Sequence, residues 1–269
     1  MLHIVTSVIN NPLFIEIQYL TFKRFIKGDY KYVVFNHAKD WPDYTNFGNA
    51  NMANEIREMC LKYNIECIDI PYQEYQKPIA SSFCYYAMNF ITQNYILIHN
   101  EPTLIIDSDM FLMSEFDVQK YMDYDMAIVP QYRGHVTYSW NGLCFLNTPK
   151  LQNKHLLNWE GGMIENQGCD VGGAMYYYFK NQPLNLYIIN HLQQNHWTID
   201  KFPSNLPKEL IELFKNDIWN RNGCICYEVY DNLFIHYGRG GNWNNEGYEQ
   251  HKQRTIELYE CVKKYIHFL

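Results

Sequence analysis

Thr103 to Phe111 reads Thr-Leu-Ile-Ile-Asp-Ser-Asp-Met-Phe. Leu104, Ile105 and Ile106 form a uniformly apolar run, the pattern of a strand buried on both faces. The run ends in two aspartates separated by Ser108, and the chain turns apolar again at Met110. Two carboxylates at the tip of a core strand are costly unless something cationic meets them. Residues i and i+2 at a strand end point the same way, so Asp107 and Asp109 can face one ligand. Hard oxygen donors there suit Mg2+ or Mn2+, ions that bridge phosphate oxygens. A plain turn, with Asp107 bonding the backbone just after it, would give the same short pattern.

Outward from this stretch, the N-terminal side alternates strand and helix. Strands are predicted at His3–Val8, Tyr32–Phe35, Ile65–Ile70 and Thr103–Ile106. Helices are predicted at Phe14–Phe25, Asn49–Tyr63 and Ser81–Gln93, the first with Phe14, Ile17, Phe22 and Phe25 on one face. This order predicts an α/β fold with a mostly parallel central sheet, right-handed crossovers and flanking helices. Ligands of such sheets bind beyond the carboxyl ends of the strands, where Thr6-Ser7, Asn36-His37 and Asp107–Asp109 fall. The C-terminal side is less regular. It carries short strands at Met126–Pro130 and Leu143–Leu146, a helix over Val171–Lys180, an apolar run over Tyr227–His236 and a closing helix over Thr255–Leu269. No linker or repeat interrupts the chain, so residues 1–269 read as one domain with a nucleotide-facing N-terminal half (1–112) and a less regular second half (113–269).

Composition narrows the function classes. Of 269 residues, 47% are hydrophobic and 19% charged, a globular balance. The net charge of −7 provides no basic field for nucleic acid or anionic membrane, so no nucleic-acid partner is expected. No apolar run approaches the ~20 residues of a membrane span. The N-terminus lacks a signal-peptide pattern, and no Asn-x-Ser/Thr acceptor occurs. The eight cysteines are scattered, and no C-x-x-C pair suggests a zinc or redox motif. Free thiols in a reducing compartment follow, and with them an expected cytoplasmic location.

A second cluster lies far downstream in Phe234-Ile235-His236-Tyr237-Gly238-Arg239-Gly240-Gly241-Asn242-Trp243. A lone histidine after an apolar run is ordinarily a packed one. Here Gly238, Gly240 and Gly241 would let backbone approach a phosphate closely, and Arg239 offers it a charged fork.

Taken in order, IIDSDMF, Asn141-Gly142 at the head of NGLCFLN, GCDVGG and HYGRGGNW resemble nucleotide-sugar glycosyltransferases of the GT-A fold. The likeness is to those of the glycogenin and galactosyltransferase type, including soluble viral and bacterial members. The resemblance spans most of the chain and is carried by about four short motifs. It implies a Rossmann-like nucleotide-diphospho-sugar transferase fold, a Mn2+ or Mg2+ cofactor and a hexosyl- or pentosyltransferase activity. The implied partners are a nucleotide-sugar donor, expected to be a UDP-sugar, and a glycan or other hydroxyl acceptor. By the same likeness Asp107 meets the donor ribose and the metal, Asp109 the metal, and His236 is the third protein ligand. Asn141 and Gly142 match the segment lining the donor-sugar pocket.

Two departures leave the stereochemistry open. Gly241-Asn242-Trp243 stands where retaining relatives place lysine and proline, and Asn166–Asp170 keeps one acceptor-side aspartate. Asp170 is the candidate at the reacting centre, as a general base in an inverting transfer or a polar group on the donor's β-face in a retaining one. A helix N-cap is its plainer role, and Glu165 is the fallback carboxylate. Thr6, Ser7, Val8, Asn36, Lys77, Ser82 and Ser108 are candidates for the nucleotide, with capping or solvent exposure as the alternative for most. Gly238, Arg239 and Trp243 complete the donor set, and Trp140 and Trp243 are the tryptophans placed to stack on a sugar. Two other classes remain. One is a metal-dependent nucleotidyltransferase or phosphatase, although a phosphatase D-x-D belongs on the first strand. The other is a non-catalytic carbohydrate-binding domain, against which the intact Asp107, Asp109 and His236 set argues.

Overall fold

The computed structural model describes residues 1–43, 45–72, 80–192, 208–209, 211–212, 227–238 and 248–268. The first strand, β1 (Leu2–Val8), leads into helix α1 (Leu13–Phe25), which starts just after Asn11-Pro12. There follow β2 (Tyr30–Asn36), α2 (Met52–Lys62), β3 (Glu66–Asp69), α3 (Ala80–Ile91) and β4 (Thr103–Ile106). The predicted alternation is therefore present, with ends moved by one to three residues. One feature escaped it: α3 runs on through a π-helical turn at Thr92–Ile96.

β5 (Met110–Leu112), β6 (Met126–Arg133) and β7 (Val136–Leu146) come next, the last two longer than their apolar cores suggested. A small hairpin, β8 (Gly162–Ile164) and β9 (Gln167–Cys169), precedes helix α4 (Met175–Asn181). α4 begins later than the expected Val171. Gly172 has φ of +92°, so residues 171–174 form turns before the helix can start. After β10 (Leu186–Ile188) and β11 (His191–Leu192), the run Tyr227–His236 proves to be a hairpin, β12 (Tyr227–Tyr230) and β13 (Phe234–Tyr237). Asp231 and Asn232, both at φ +55°, make its turn. Helix α5 (Tyr248–Phe268) starts earlier than Thr255. No described helix is long and apolar enough to cross a membrane.

The central sheet has seven strands in the order β10-β6-β7-β4-β1-β2-β3. Among the described residues only β7 runs against the others. The fold is thus mixed α/β, with a mostly parallel sheet between helices. One face carries Ile4, Val8, Leu104 and Ile106 against α1 and α2, and the other carries Val5, Val33 and Ile105 against α3 and α4. Burial on both faces is why these strands read as near-continuous apolar runs. A second sheet, β11-β12-β13-β5, packs beside α1 and α5 through Phe14, Ile17, Phe111, Ile235 and Val262.

Two irregularities position the site. Between β6 and β7 the register jumps, with Ile128 facing Cys144 but Pro130 facing Ser139. The intervening Trp140–Leu143 is released from β6 and lies against the end of β4, where Leu143 pairs with Ile106. The second is the turn Asp107–Met110, closed by Met110 N–H donating to the Asp107 carbonyl at 3.1 Å. It carries the chain from the central sheet into the second one.

Candidate metal centre

Backbone pairings to two strands, β7 and β13, hold the Asp107–Met110 turn. The Asp107 N–H donates to the Gly142 carbonyl at 2.8 Å, and the Tyr237 N–H donates to the Asp109 carbonyl at 2.8 Å. In the second sheet His236 pairs directly with Met110. These pairings bring one ligand atom each of Asp107, Asp109 and His236 within 4.8 Å of one another. Asp109 and His236 are buried and Asp107 is half-buried.

His236 is oriented from behind. Its Nδ1 lies 2.9 Å from Glu228 Oε2, while Nε2 lies 3.4 Å from Asp109 Oδ1. A carboxylate behind Nδ1 selects the tautomer with its proton there, which leaves the Nε2 lone pair aimed at the two aspartates. Glu228 is itself anchored by the Tyr230 hydroxyl at 2.8 Å and by His191 Nε2 at 3.2 Å. Those two rings stack at 4.5 Å. The partner across β12 and β13 is set by register, since Glu228 faces His236.

The electrostatics suit a cation. Burial, and then the charge of Asp109, push Asp107 up to about 7, with His236 opposing them. Burial disfavours charge on His236, but Asp109 and Glu228 outweigh it and raise that histidine to about 10. Burial likewise opposes ionisation of Glu228, yet His191 and His236 hold it well below the usual carboxylate range. Two carboxylate oxygens and a neutral imidazole nitrogen converging on one point form a donor set for a divalent ion.

The neighbouring residues divide by the face they occupy. Trp140 stacks on Tyr230 at 5.4 Å and lies 5.1 Å from the His236 ring. Its indole crosses Gly142 so closely that a Cβ there would sit 2.1 Å from a ring carbon. Asn141 points to the other face, and its Nδ2 meets Cys84 Sγ at 3.2 Å. Burial, and then the charges of Asp107, Asp170 and Asp109, push the Cys84 thiol up. Asp170 is exposed, and its Oδ1 accepts from the Val171 N–H at 2.8 Å; α4 starts only at Met175, after Ala174, so Asp170 is not the N-cap of that helix. Glu165 lies in the β8–β9 turn and pairs with Lys180 at 3.5 Å on the surface.

The nucleotide candidates are more scattered. Thr6 and Val8 are buried, and Ser7 is half-buried. Val8 belongs to the core cluster beside α1 and α2. The Thr6 Oγ1 is buried with no hydrogen-bond partner among the described residues. The Asn36 amide is fully engaged. Its Nδ2 donates to Ala53 O at 3.1 Å and Asp69 Oδ1 at 2.8 Å, and its Oδ1 accepts from the Ala38 N–H at 3.2 Å. His37 is buried against Phe83, and burial, then Lys39, lower it to about 4, so it is neutral at pH 7. A cavity of about 260 Å³ opens there, lined by His37, Lys39, Trp41, Arg57, Tyr72 and Phe83. Ser82 is buried near the start of α3, Ser108 is half-buried within the turn, and Gly238 is buried after β13. Lys77, Arg239 and Trp243 lie outside the described residues. A larger cavity, about 470 Å³, is lined by Gln131, Arg133, Trp140, His191 and Glu228 itself.

Sequence reading missed Glu228, His191 and the aromatic wall of the smaller cavity. Glu228 left one usable trace. With Asp231-Asn232 read as a hairpin turn, Tyr230 faces Phe234 and Glu228 falls opposite His236.

No protein-family model and no curated protein sequence matches the chain. Among solved structures it is similar to the galactosyltransferase LgtC in complex with donor and acceptor sugar analogs, at 13% identity and a TM-score of 0.44, over 94% of this chain and 95% of that one. It is similar to the glycosyltransferase GlyE of Streptococcus pneumoniae TIGR4 at 12% identity and a TM-score of 0.38, over 98% of this chain and 64% of that one. A third is the bifunctional glycosyltransferase WbbM in its apo form, at 12% identity and a TM-score of 0.34, over 55% of this chain and 31% of that one. The chain therefore spans less than two thirds of the length of the GlyE and WbbM chains.

Proposed function

We propose that the chain is a divalent-metal-dependent glycosyltransferase of the GT-A type. It would move a hexosyl or pentosyl group from a nucleoside-diphosphate sugar, expected to be a UDP-sugar, to a hydroxyl of a glycan or other acceptor. The carrying observation is the convergence of Asp107, Asp109 and His236 at the carboxyl end of β4, with Glu228 aiming His236 Nε2 at the aspartates. The motif order of the sequence supports the same reading. Mn2+ or Mg2+ held by these three residues would neutralise charge on a diphosphate leaving group.

In this reading the chain is one domain with a donor half (1–112) and an acceptor half (113–269). The nucleoside occupies the cavity beside His37, near Ser7 and Ser82, with Lys77 as a further donor contact. Asn36 holds that cavity's wall, because its amide is spent on Ala53, Asp69 and Ala38. Thr6 and Val8 serve as backbone, being buried. Ser108, Gly238, Arg239 and Trp243 surround the diphosphate and sugar, and Asn141 and Gly142 line the donor pocket. Asp170 acts at the reacting centre, as a general base or as a polar group on the donor's β-face.

A thermal-shift panel of nucleotide sugars with and without Mn2+ tests this, because a ligand that binds only the folded chain raises its stability by mass action. Stabilisation by a UDP-sugar that requires Mn2+ is expected. Phosphatase turnover without sugar-nucleotide hydrolysis, or UDP binding indifferent to Mn2+, overturns the proposal.

A further inference from the structure

Helix α1 buries a glutamine among its apolar residues. Gln18 is 0% exposed, on a helix that also buries Phe14, Ile17 and Phe22. A buried primary amide is expensive unless its two N–H hydrogens and its oxygen all find partners. Here all three do, and both hydrogens go to the same turn. Gln18 Nε2 donates to the Asp107 carbonyl at 2.8 Å and to the Met110 carbonyl at 2.9 Å. Those groups can only accept, which fixes the amide's orientation. Gln18 Oε1 accepts from the Tyr32 hydroxyl at 2.6 Å, and Phe22 packs edge-on against the Tyr32 ring at 5.1 Å. The two carbonyls are the first and last of the turn that presents both aspartates.

Local preference favours an apolar residue at this helix position, so the amide is there for what it holds. The geometry points to Gln18 as a positioning residue for the metal centre, with Tyr32 behind it, an inference that rests on reading Asp107, Asp109 and His236 as metal ligands. The amide ties together the two end carbonyls of the turn, so the carboxylates keep their separation against their mutual repulsion. It touches neither donor nor acceptor and acts only through the Asp107–Met110 backbone.

The test is Mn2+ binding by titration calorimetry on the full chain. Gln18→Met keeps length and apolarity while removing the amide, and Tyr32→Phe removes the hydroxyl alone. Thr92→Val serves as control, since it deletes a buried hydroxyl bonded to Trp159 Nε1 at 2.9 Å, away from the turn. Partners behind a ligating group are worth roughly 10–100-fold in metal affinity. Gln18→Met is expected to weaken Mn2+ binding by at least about tenfold and Tyr32→Phe by a few-fold, with Thr92→Val unchanged although its melting temperature falls. Wild-type affinity in Gln18→Met overturns the inference, as does a Thr92→Val loss equal to that of Gln18→Met. If Gln18→Met does not fold, an unchanged Tyr32→Phe affinity overturns it. A wild-type chain that binds no Mn2+ overturns the metal reading itself and this inference with it.

Discussion

Glu228 Oε2 sits 2.9 Å from His236 Nδ1, on the face of the imidazole turned away from Asp109. The carboxylate therefore decides which nitrogen is free to ligate, and it does so from the opposite strand of the same hairpin. Replacing Glu228 with alanine is expected to lower Mn2+ affinity roughly 10–100-fold. Calorimetric titration checks this, and an unchanged dissociation constant counts against the orienting role.

Loss of a ligand is expected to cost more. Asp109→Asn and His236→Ala should each abolish the Mn2+-dependent part of nucleotide stabilisation, and EDTA should do the same to the unaltered chain. The melting temperature with UDP, measured with and without Mn2+, is the readout. A metal requirement that survives both substitutions removes these residues from the site.

Glu16 predicts how stability depends on pH. It is buried beneath α2 and α5, where its Oε1 accepts from the Tyr63 and Tyr259 hydroxyls and both its oxygens accept from Lys62. Burial opposes its ionisation, but Tyr63, Tyr259 and Lys62 outweigh that and hold the folded-state pKa below the ordinary 4.5. A depressed carboxylate contributes stability that is fully present above its unfolded-state value and is lost as pH falls through the folded-state value. Glu16→Gln is expected to cost about 1–3 kcal/mol at pH 7. Urea unfolding between pH 7 and 3 should show the gap to the unaltered chain closing below about pH 4.5.

Gly142 gives a packing prediction. A methyl group there would press on the Trp140 indole, which itself leans on Tyr230 and His236. Gly142→Ala should destabilise by about 1–3 kcal/mol through overpacking. In a Trp140→Ala background the same substitution should cost close to nothing, a coupling that a double-mutant cycle of urea midpoints reads directly. Additive costs would mean that the indole does not impose the glycine.

What could be read from the sequence follows from how local each signal was. The strand Thr103–Ile106 and its two aspartates declared themselves because a doubly buried strand is apolar throughout and stops abruptly. β7 was seen only at Leu143–Leu146, because its release from β6 around Trp140–Gly142 breaks the alternation that marks a strand. The late start of α4 hid behind glycines, which permit a helix entry and a left-handed turn equally well. Gln18 could not be found at all. Its partners, Tyr32 and the Asp107–Met110 turn, lie on separate strands, and nothing along α1 marks one buried amide as a clamp.

The hydrogen bond from Tyr237 N–H to Asp109 O carries a kinetic consequence. The pairing of β4 with β1 and β7, which brings Asp107 to the strand tip, uses contacts that lie within the first part of the chain. His236 arrives only when β13 docks on β5, a closure across a long intervening segment that pays its loop entropy before any contact rewards it. During refolding, high-affinity capture of Mn2+ should therefore trail the appearance of the central sheet, making the ion a clock for the docking of β13 on β5.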